Sequence, residues 1–242
     1  MTDINILYGD LSFEEAEKYF GGKIPVSKKE FKKIKDEYRT KAFTISGYNN
    51  MEIIKKFIDE LQKAIDNGST LNDFQKEINS FLDSKGYEGI TPYQADNIFR
   101  TNIQTAYSVG HYAAMTDPEV KKIRPYWQYD AVNDGKTRPS HRAMDELVYP
   151  ADHPFWDVYY PPNGFRCRCG VRTLSRRQVE QRGLKVMEEL PERGVDVETG
   201  EMFRIYPDRN FNYNPAKKAF EADIKSYPEP LKKAYELYKK ER

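Results

Sequence analysis

Apolar side chains recur at every third or fourth position through the first half of the chain. Ile54, Phe57, Ile58, Leu61 and Ile65 form one stripe, and Leu71, Phe74, Ile78 and Phe81 form another. That spacing places each set on one face of a helix. Asn50 precedes the first stripe, Asn67-Gly68 follows it, and Gly86 closes the second, all residues that start or stop helices. Upstream, Ser12 with Glu15 and Ser27 with Glu30 signal two further helices. In each pair the serine and the glutamate satisfy amides of the first turn. The first is expected to end at Phe20 before Gly21-Gly22, and the second to run to about Phe43. A fifth helix, capped by Thr91 with Pro92 in its first position, is expected to reach about Met115. Its stripe of Ile98, Phe99, Ile103, Ala106, Tyr107 and Gly110 suits a helix at the centre of a bundle. Two readings stand for the interrupting Arg100, Thr101, Asn102 and Gln104: an exposed face, or a polar network reaching into the segment that follows.

After Pro118 the pattern changes. Ile123 to Val132 and Phe165 to Leu174 read as strands, and a short antiparallel sheet is expected from them. Asn133-Asp134-Gly135 is a turn, Ser140 to Leu147 is one or two helical turns, and Pro150, Pro154, Pro161 and Pro162 enforce loops. Ser175 with Gln178 caps a short helix that Gly183 ends. From Leu184 to Pro215 the chain reads as loop, with a hairpin around Val197 to Arg204, and Asn214 to Arg242 reads as helix broken at Pro228 and Pro230. The expected fold is α-rich α+β. A helical bundle occupies residues 1–118, a small mixed module 119–215, and a charged helical tail 216–242.

Composition narrows the class. A charged share of 32% against an apolar share of 38% means that most helical surface is solvated. Aromatics at 14%, including 18 tyrosines, exclude general disorder, which depletes them. A net charge of +1 excludes a globally nucleic-acid-binding or membrane-binding chain, so any electrostatic contact is a local patch. No apolar run reaches spanning length, and MTDINILYGD lacks a basic region followed by an apolar core. The expectation is a protein made in the cytoplasm, with no membrane partner.

The chemistry gathers between Tyr126 and Thr173, which hold both tryptophans, both cysteines and two of the three histidines. Cys167 and Cys169 are too close for an unstrained disulfide. With His141 or His153 and with Asp134, they offer sulfur, nitrogen and oxygen to one structural zinc. The alternative is that both thiols are reduced and buried, with His141 a structural histidine. A zinc deaminase is excluded, because His141 lacks the His-x-Glu context and the cysteines are one residue too close. A Cys–His nucleophilic pair can be drawn, but sequence does not bring the two groups within reach, and no glycine-rich phosphate loop is present. A non-enzymatic protein is expected. Arg166, Arg168, Arg172, Arg176 and Arg177 lie near Tyr159, Tyr160 and Phe165. They read either as a nucleic-acid contact or as solvated and salt-bridged arginines.

Three runs together resemble one family: Asp134-Gly-Lys-Thr-Arg-Pro-Ser-His141, Asp152-His-Pro-Phe-Trp156 and Tyr160-Pro-Pro-Asn-Gly-Phe-Arg-Cys-Arg-Cys169. They are similar to the phage Mu F-like minor head proteins of the head-morphogenesis group. Arg100 to Tyr107, Pro25 to Gly47 and Phe211 to Pro215 share the resemblance, which covers roughly residues 10 to 215. Its signature positions here are Asp134, Thr137, Arg138, His141, Pro161, Pro162, Asn163, Gly164, Cys167 and Cys169. The chain departs from the pattern at Asp145-Glu146-Leu147 and at His153, so His153 is not carried over as a shared position. The resemblance implies a minor head protein of the virion, made in a bacterial host. It would act near the portal during head assembly, with portal protein and major capsid protein as partners and a possible association with phage DNA. A prophage enzyme or effector using the Cys–His pair, and a DNA-binding accessory protein, are the alternatives.

Overall fold

A computed structural model describes residues 13–196, 199–220 and 224–240. The chain divides into two compact units, one of residues 1–110 and 215–242 and the other of residues 111–214.

The first unit is built from α1 (Phe13–Gly21), β1 (Ile24–Pro25), α2 (Lys28–Phe31), α3 (Asp36–Arg39), β2 (Ala42–Phe43), α4 (Met51–Asn67), α5 (Leu71–Ser84), the first part of α6 (Pro92–Met115), and a C-terminal helix, Glu229–Lys240. The expected α4 and α5 form with their caps in place. The Asn50 side chain accepts from the Glu52 amide, and Gly68 ends α4 in the left-handed region at φ 70°. Thr70 and Asp73 cap α5 reciprocally. Ile53, Ile54, Phe57, Ile58, Leu61 and Ile65 bury the inner face of α4, which packs on α1 and α5. The Ser12 cap lies outside the described residues.

The single helix expected from Ser27 to Phe43 is instead two short helices and a strand. The Ser27–Glu30 capping box is present, but Lys35 turns extended with ψ 145°. Ala42 and Phe43 then pair in parallel with Ile24 and Pro25. So lysine-rich a segment has few apolar positions to hold a long helix, and tertiary burial decides its path. Ile24, Val26, Ile34, Tyr38 and Ala42 close a core with Tyr227, Leu231 and Ala234 from the C-terminal segment. Pro228 and Pro230 do not break that helix; it starts at Glu229, with Pro230 where a missing amide costs nothing. Residues 215–220 form turns. In α6, Ala95, Ala106 and Val109 are buried, whereas Ile98, Phe99 and Ile103 are half-buried and Tyr107 is exposed. Its stripe is therefore less central than its apolarity suggested. Arg100 is exposed and pairs with Asp96 one turn away, while Asn102 and Thr105 bond back to helix carbonyls.

One buried cation stands out. Lys23 donates to the Tyr19 hydroxyl and to the Thr40 carbonyl, each at 2.7 Å, and Thr40 donates in turn to the Pro215 carbonyl. Both partners of the ammonium are uncharged, and burial pushes its pKa down to about 7. An unfolded lysine titrates at about 10.4, so between these values the unfolded chain binds the extra proton. Stability carried by Lys23 therefore rises as pH climbs from 7 towards 10. Lys23→Met is expected to be more stable than the parent at pH 7, with the gap narrower at pH 9. Urea midpoints of the two proteins at both pH values check this, and equal gaps at the two would refute it.

The second unit contains the end of α6, α7 (Pro118–Ile123), β3 (Tyr126–Asp130), α8 (Pro139–Arg142), β4 (Val148–Pro150), α9 (Phe155–Val158), β5 (Gly170–Leu174), α10 (Arg176–Gln181), β6 (Arg193–Val195) and β7 (Met202–Arg204). The expected pairing of the two strands is present: β3 lies antiparallel to β5 with Trp127 opposite Thr173. The sheet has a third strand that the prolines concealed, with β4 on the other side of β3 and Tyr149 opposite Trp127. Trp127, Gln128 and Tyr129 are consecutive and all buried, because β3 is central and both faces are covered. One face carries an aromatic core of Trp127, Tyr129, Tyr149, Phe155, Trp156, Tyr159 and Tyr160. The other carries Val148, Leu174 and Val179. The capping box of Ser175 and Gln178 opens α10 as expected. The hairpin falls slightly earlier than expected, with Val195 opposite Met202, and Val197 lies outside the described residues. The whole is an α-rich α+β protein, and among the described residues no helix is long and apolar enough to cross a membrane.

Candidate metal centre

Two loops leave the β3–β5 pair from the same end and lock together. The first, after Asp130, carries Asp134, Thr137 and Arg138 into α8, which presents His141. The second runs from Tyr160 through Asn163 and Gly164 to Cys167 and Cys169, directly before β5. Arg168 grips the Asp134 carboxylate with both guanidinium nitrogens, at 2.7 and 2.6 Å. Arg138 reaches the other way, donating to the Phe165 carbonyl at 3.0 Å and pairing with Asp208 at 3.1 Å. The Lys136 amide and the Thr137 hydroxyl also donate to Asp134. Held chiefly by Arg168, the Asp134 carboxyl lies well below the usual carboxylate range.

Between these loops His141, Cys167 and Cys169 converge. His141 Nδ1 lies 3.7 Å from Cys167 Sγ and 3.6 Å from Cys169 Sγ, and the three ligand atoms fall within 4.8 Å of one another. All three side chains are at least 96% buried. The two thiols behave differently. The hydrogen bond from Cys169 and the facing His141 push Cys167 well below an ordinary thiol, while Cys169 is pushed up by that same bond, by burial and by the neighbouring thiolate. A second layer supports the sulfurs. The Tyr129 hydroxyl is hydrogen-bonded to Cys169 and accepts from Asn163 Nδ2 at 2.9 Å. Asn163, fully buried, also donates to the Tyr159 carbonyl, and its own carbonyl accepts from the Asp208 amide.

One nitrogen and two sulfurs at this spacing suit zinc, which takes thiolate and imidazole ligands with sulfur at about 2.3 Å and nitrogen at about 2.0 Å. His141 Nδ1 faces the sulfurs, and the buried Nε2 has no hydrogen-bond partner among the described residues. The same trio places a thiolate beside an imidazole, so a Cys–His pair is within reach as well. The other two residues considered as ligands lie elsewhere. Asp134 is engaged by Arg168. His153 packs against Tyr149 with ring centroids 4.7 Å apart, its Nδ1 accepts the Phe155 amide, and its Nε2 lies 3.0 Å from the Glu188 carbonyl. Tyr129 and Asp208 escaped the sequence reading. Tyr129 looks like any strand aromatic, and Asp208 lies some forty residues from the loop it clamps.

The arginines divide. Arg168 and Arg172 are each bound bidentately by a carboxylate, Asp134 and Asp130, and Arg176 lies over the Tyr126 ring. Arg166 and Arg177 are exposed, and Arg166 is held in the left-handed region at φ 58°.

Gly164 marks where the loops meet. A Cβ there would collide with the Asp208 carboxylate and come within 3.3 Å of the Arg138 guanidinium. Gly164→Ala is expected to destabilise the second unit by about 1–3 kcal/mol by overpacking. Gly170→Ala, which meets open space, should be nearly silent. Urea denaturation followed by circular dichroism separates the two, and equal costs would contradict the collision.

Residues 55–172 match the family described as "Phage Mu protein F like protein", a span that contains all of His141, Cys167, Cys169 and the Asp134–Arg168 clasp. The chain is 32% identical over 218 residues to "Putative capsid assembly protein F" of Escherichia phage Mu. It is 34% identical over 216 residues to "Mu-like prophage FluMu F protein" of Haemophilus influenzae. Each alignment covers 76% of this chain, but 49% and 51% of the respective relative, so the chain spans about half the length of these curated relatives. No solved structure matches the chain.

Proposed function

The chain belongs to the phage Mu F-like family, and on that premise we propose that it acts in the assembly of a phage head. The observation that carries this reading is the match over three quarters of the chain to a protein named for capsid assembly. In the finer proposal the protein is a minor component of the head near the portal, with portal and major capsid protein as partners and phage DNA as a further contact. Two of the five arginines considered for DNA, Arg168 and Arg172, are tied to carboxylates.

Within this role His141, Cys167 and Cys169 hold one structural zinc that staples the two signature loops. The metal supplies cross-linking and no reaction step. The chain's own residues do the rest: Arg168 and Arg138 fix the loop spacing, and Asn163 and Tyr129 orient Cys169. Metal analysis of purified protein should find about one zinc per chain, the capacity of one tetrahedral site. Roughly a tenth of that or less under reducing conditions would remove the metal from the proposal.

The assembly role is tested with particles from an induced host. After nuclease treatment, the protein should be found by mass spectrometry in heads or in head precursors. Absence from both, with the chain abundant in the lysate, would overturn it. The 3.7 Å contact between Cys167 Sγ and His141 Nδ1 favours one second reading, a Cys–His nucleophile. That reading requires Cys167 to react with iodoacetamide in the native protein, whereas a buried metal ligand is protected.

A further inference from the structure

A chain of net charge +1 can bind a polyanion only through a local patch, and the first unit carries one. Residues 28–35 read Lys-Lys-Glu-Phe-Lys-Lys-Ile-Lys, five cations and one anion, and the stretch on to Lys41 holds seven cations against three anions. Lys28, Lys29, Lys32, Lys33 and Lys35 are all exposed. Lys32 follows Lys28 by one turn, its amide donating to the Lys28 carbonyl at 3.2 Å. Phe31 and Ile34 turn inward to the core shared with Leu231, which leaves the outer surface of this turn to the ammonium groups.

The lysines are not consumed by the fold. Glu30, the one carboxylate among residues 28–35, accepts from the Ser27 amide at 3.0 Å and from its hydroxyl at 2.8 Å. Among the described residues, none of the five lysines pairs with a carboxylate, whereas Lys63, Lys85, Lys121 and Lys232 each do. Like charges one turn apart repel, so this surface gains when a row of anions approaches it.

The surroundings select the kind of anion. Protein interfaces are centred on exposed apolar and aromatic groups and deplete lysine. Here, among the described residues, no exposed large apolar side chain falls in residues 13–86. Phe31 is half-buried with the Arg39 guanidinium over its ring at 5.5 Å, so it offers no platform for an unpaired base. Lysines without base-reading or stacking partners suit the phosphates of a duplex, which fix position and carry no sequence.

We infer that the exposed lysines of residues 28–35 form a sequence-independent contact to the phosphate backbone of double-stranded DNA. This gives the DNA contact proposed above a surface, on the first unit and not on the arginines of the second, and rests on that reading for its partner. The head-assembly role stands apart from it: the protein can be present in heads and still fail to bind the duplex.

The test measures binding of the full chain to a fluorescent duplex of mixed sequence by anisotropy across a salt series. Five neutralised phosphates require affinity to fall with salt at a log–log slope of about −4 to −5. Substituting Lys28→Gln, Lys29→Gln, Lys32→Gln and Lys33→Gln together should flatten the slope to about −1 and weaken low-salt binding by about tenfold or more. The pair Lys28→Gln and Lys32→Gln alone should bring it to about −3, and decides the matter should the fourfold variant fail to fold by circular dichroism. Arg176→Gln with Arg177→Gln should leave slope and affinity unchanged. No duplex binding at low salt overturns the inference, as does a loss that follows the arginine pair and not the lysines. Binding to polyglutamate without binding to the duplex also overturns it, and reassigns the patch to an acidic protein.

Discussion

Trp156→Ala should cost the second unit about 3–5 kcal/mol, the range for removing a large buried aromatic. The side chain is fully enclosed, with Trp127 at 5.5 Å, Phe155 at 4.8 Å, Tyr149 at 6.2 Å and Tyr160 at 6.5 Å between ring centroids. Its indole N–H donates to the Pro150 carbonyl at 3.0 Å, fixing the edge of β4, and its own carbonyl accepts from Asn214. Truncation therefore opens a cavity and removes one of the two hydrogen bonds to the Pro150 carbonyl, which keeps the His153 amide. For a unit of this size the loss lowers the melting temperature by more than about 10 °C. Trp156→Phe keeps most of the packing and loses one hydrogen bond, so it should cost far less, about 0.5–1.5 kcal/mol for that bond. Thermal and urea denaturation of the three proteins decide the matter. A Trp156→Ala loss no larger than that of Trp156→Phe would mean that the aromatic cluster is not what holds the sheet.

Removal of the metal is the second large effect expected. Stripping zinc with a strong chelator, or substituting Cys167→Ser, should melt the second unit at lower temperature and leave the α4–α5 pair of the first unaffected. The reason is linkage: an ion bound only by the folded loops stabilises them by an amount set by its concentration relative to its dissociation constant. At a thousandfold excess that amount is about 4 kcal/mol. Unlike a zinc finger, this unit has an aromatic core of its own, so the stripped form should be loosened rather than unfolded. Calorimetry with and without chelator, followed by zinc re-addition, measures it. A second-unit transition that does not move on chelation, in protein shown to have contained zinc, would deny the metal its stapling role.

Helices with strong local signals were legible from sequence, and elements made by tertiary contact were not. Asn50, Gly68, Gly86 and Ser175 announce the ends of α4 and α5 and the start of α10, because caps act within one turn. The segment from Ser27 to Phe43 misled, since its opening box is real but its continuation depends on pairing with Ile24 and Pro25 and on Leu231, some two hundred residues away. The strand β4 was hidden because Pro150 ends it, and a three-residue strand leaves no period to detect. At the site, the convergence of His141 with the cysteines was foreshadowed by the rarity of these residue types and by the signature runs. The exclusion of Asp134 and His153 was not. Whether a carboxylate faces a sulfur or an arginine depends on loop geometry that spacing does not encode.

The core that joins Ile24, Val26 and Tyr38 to Tyr227 and Leu231 has a consequence for synthesis. A ribosome delivers residues in order, and domains fold as their parts emerge. All of residues 111–214 has been synthesised before Leu231 is added. The core around Ile24, Val26 and Tyr38 therefore cannot close until Leu231 has been made, whereas residues 111–214 do not depend on it. A released chain cut short just before Leu231 should then resist protease across residues 111–214 while remaining cleavable near Lys28 to Lys41.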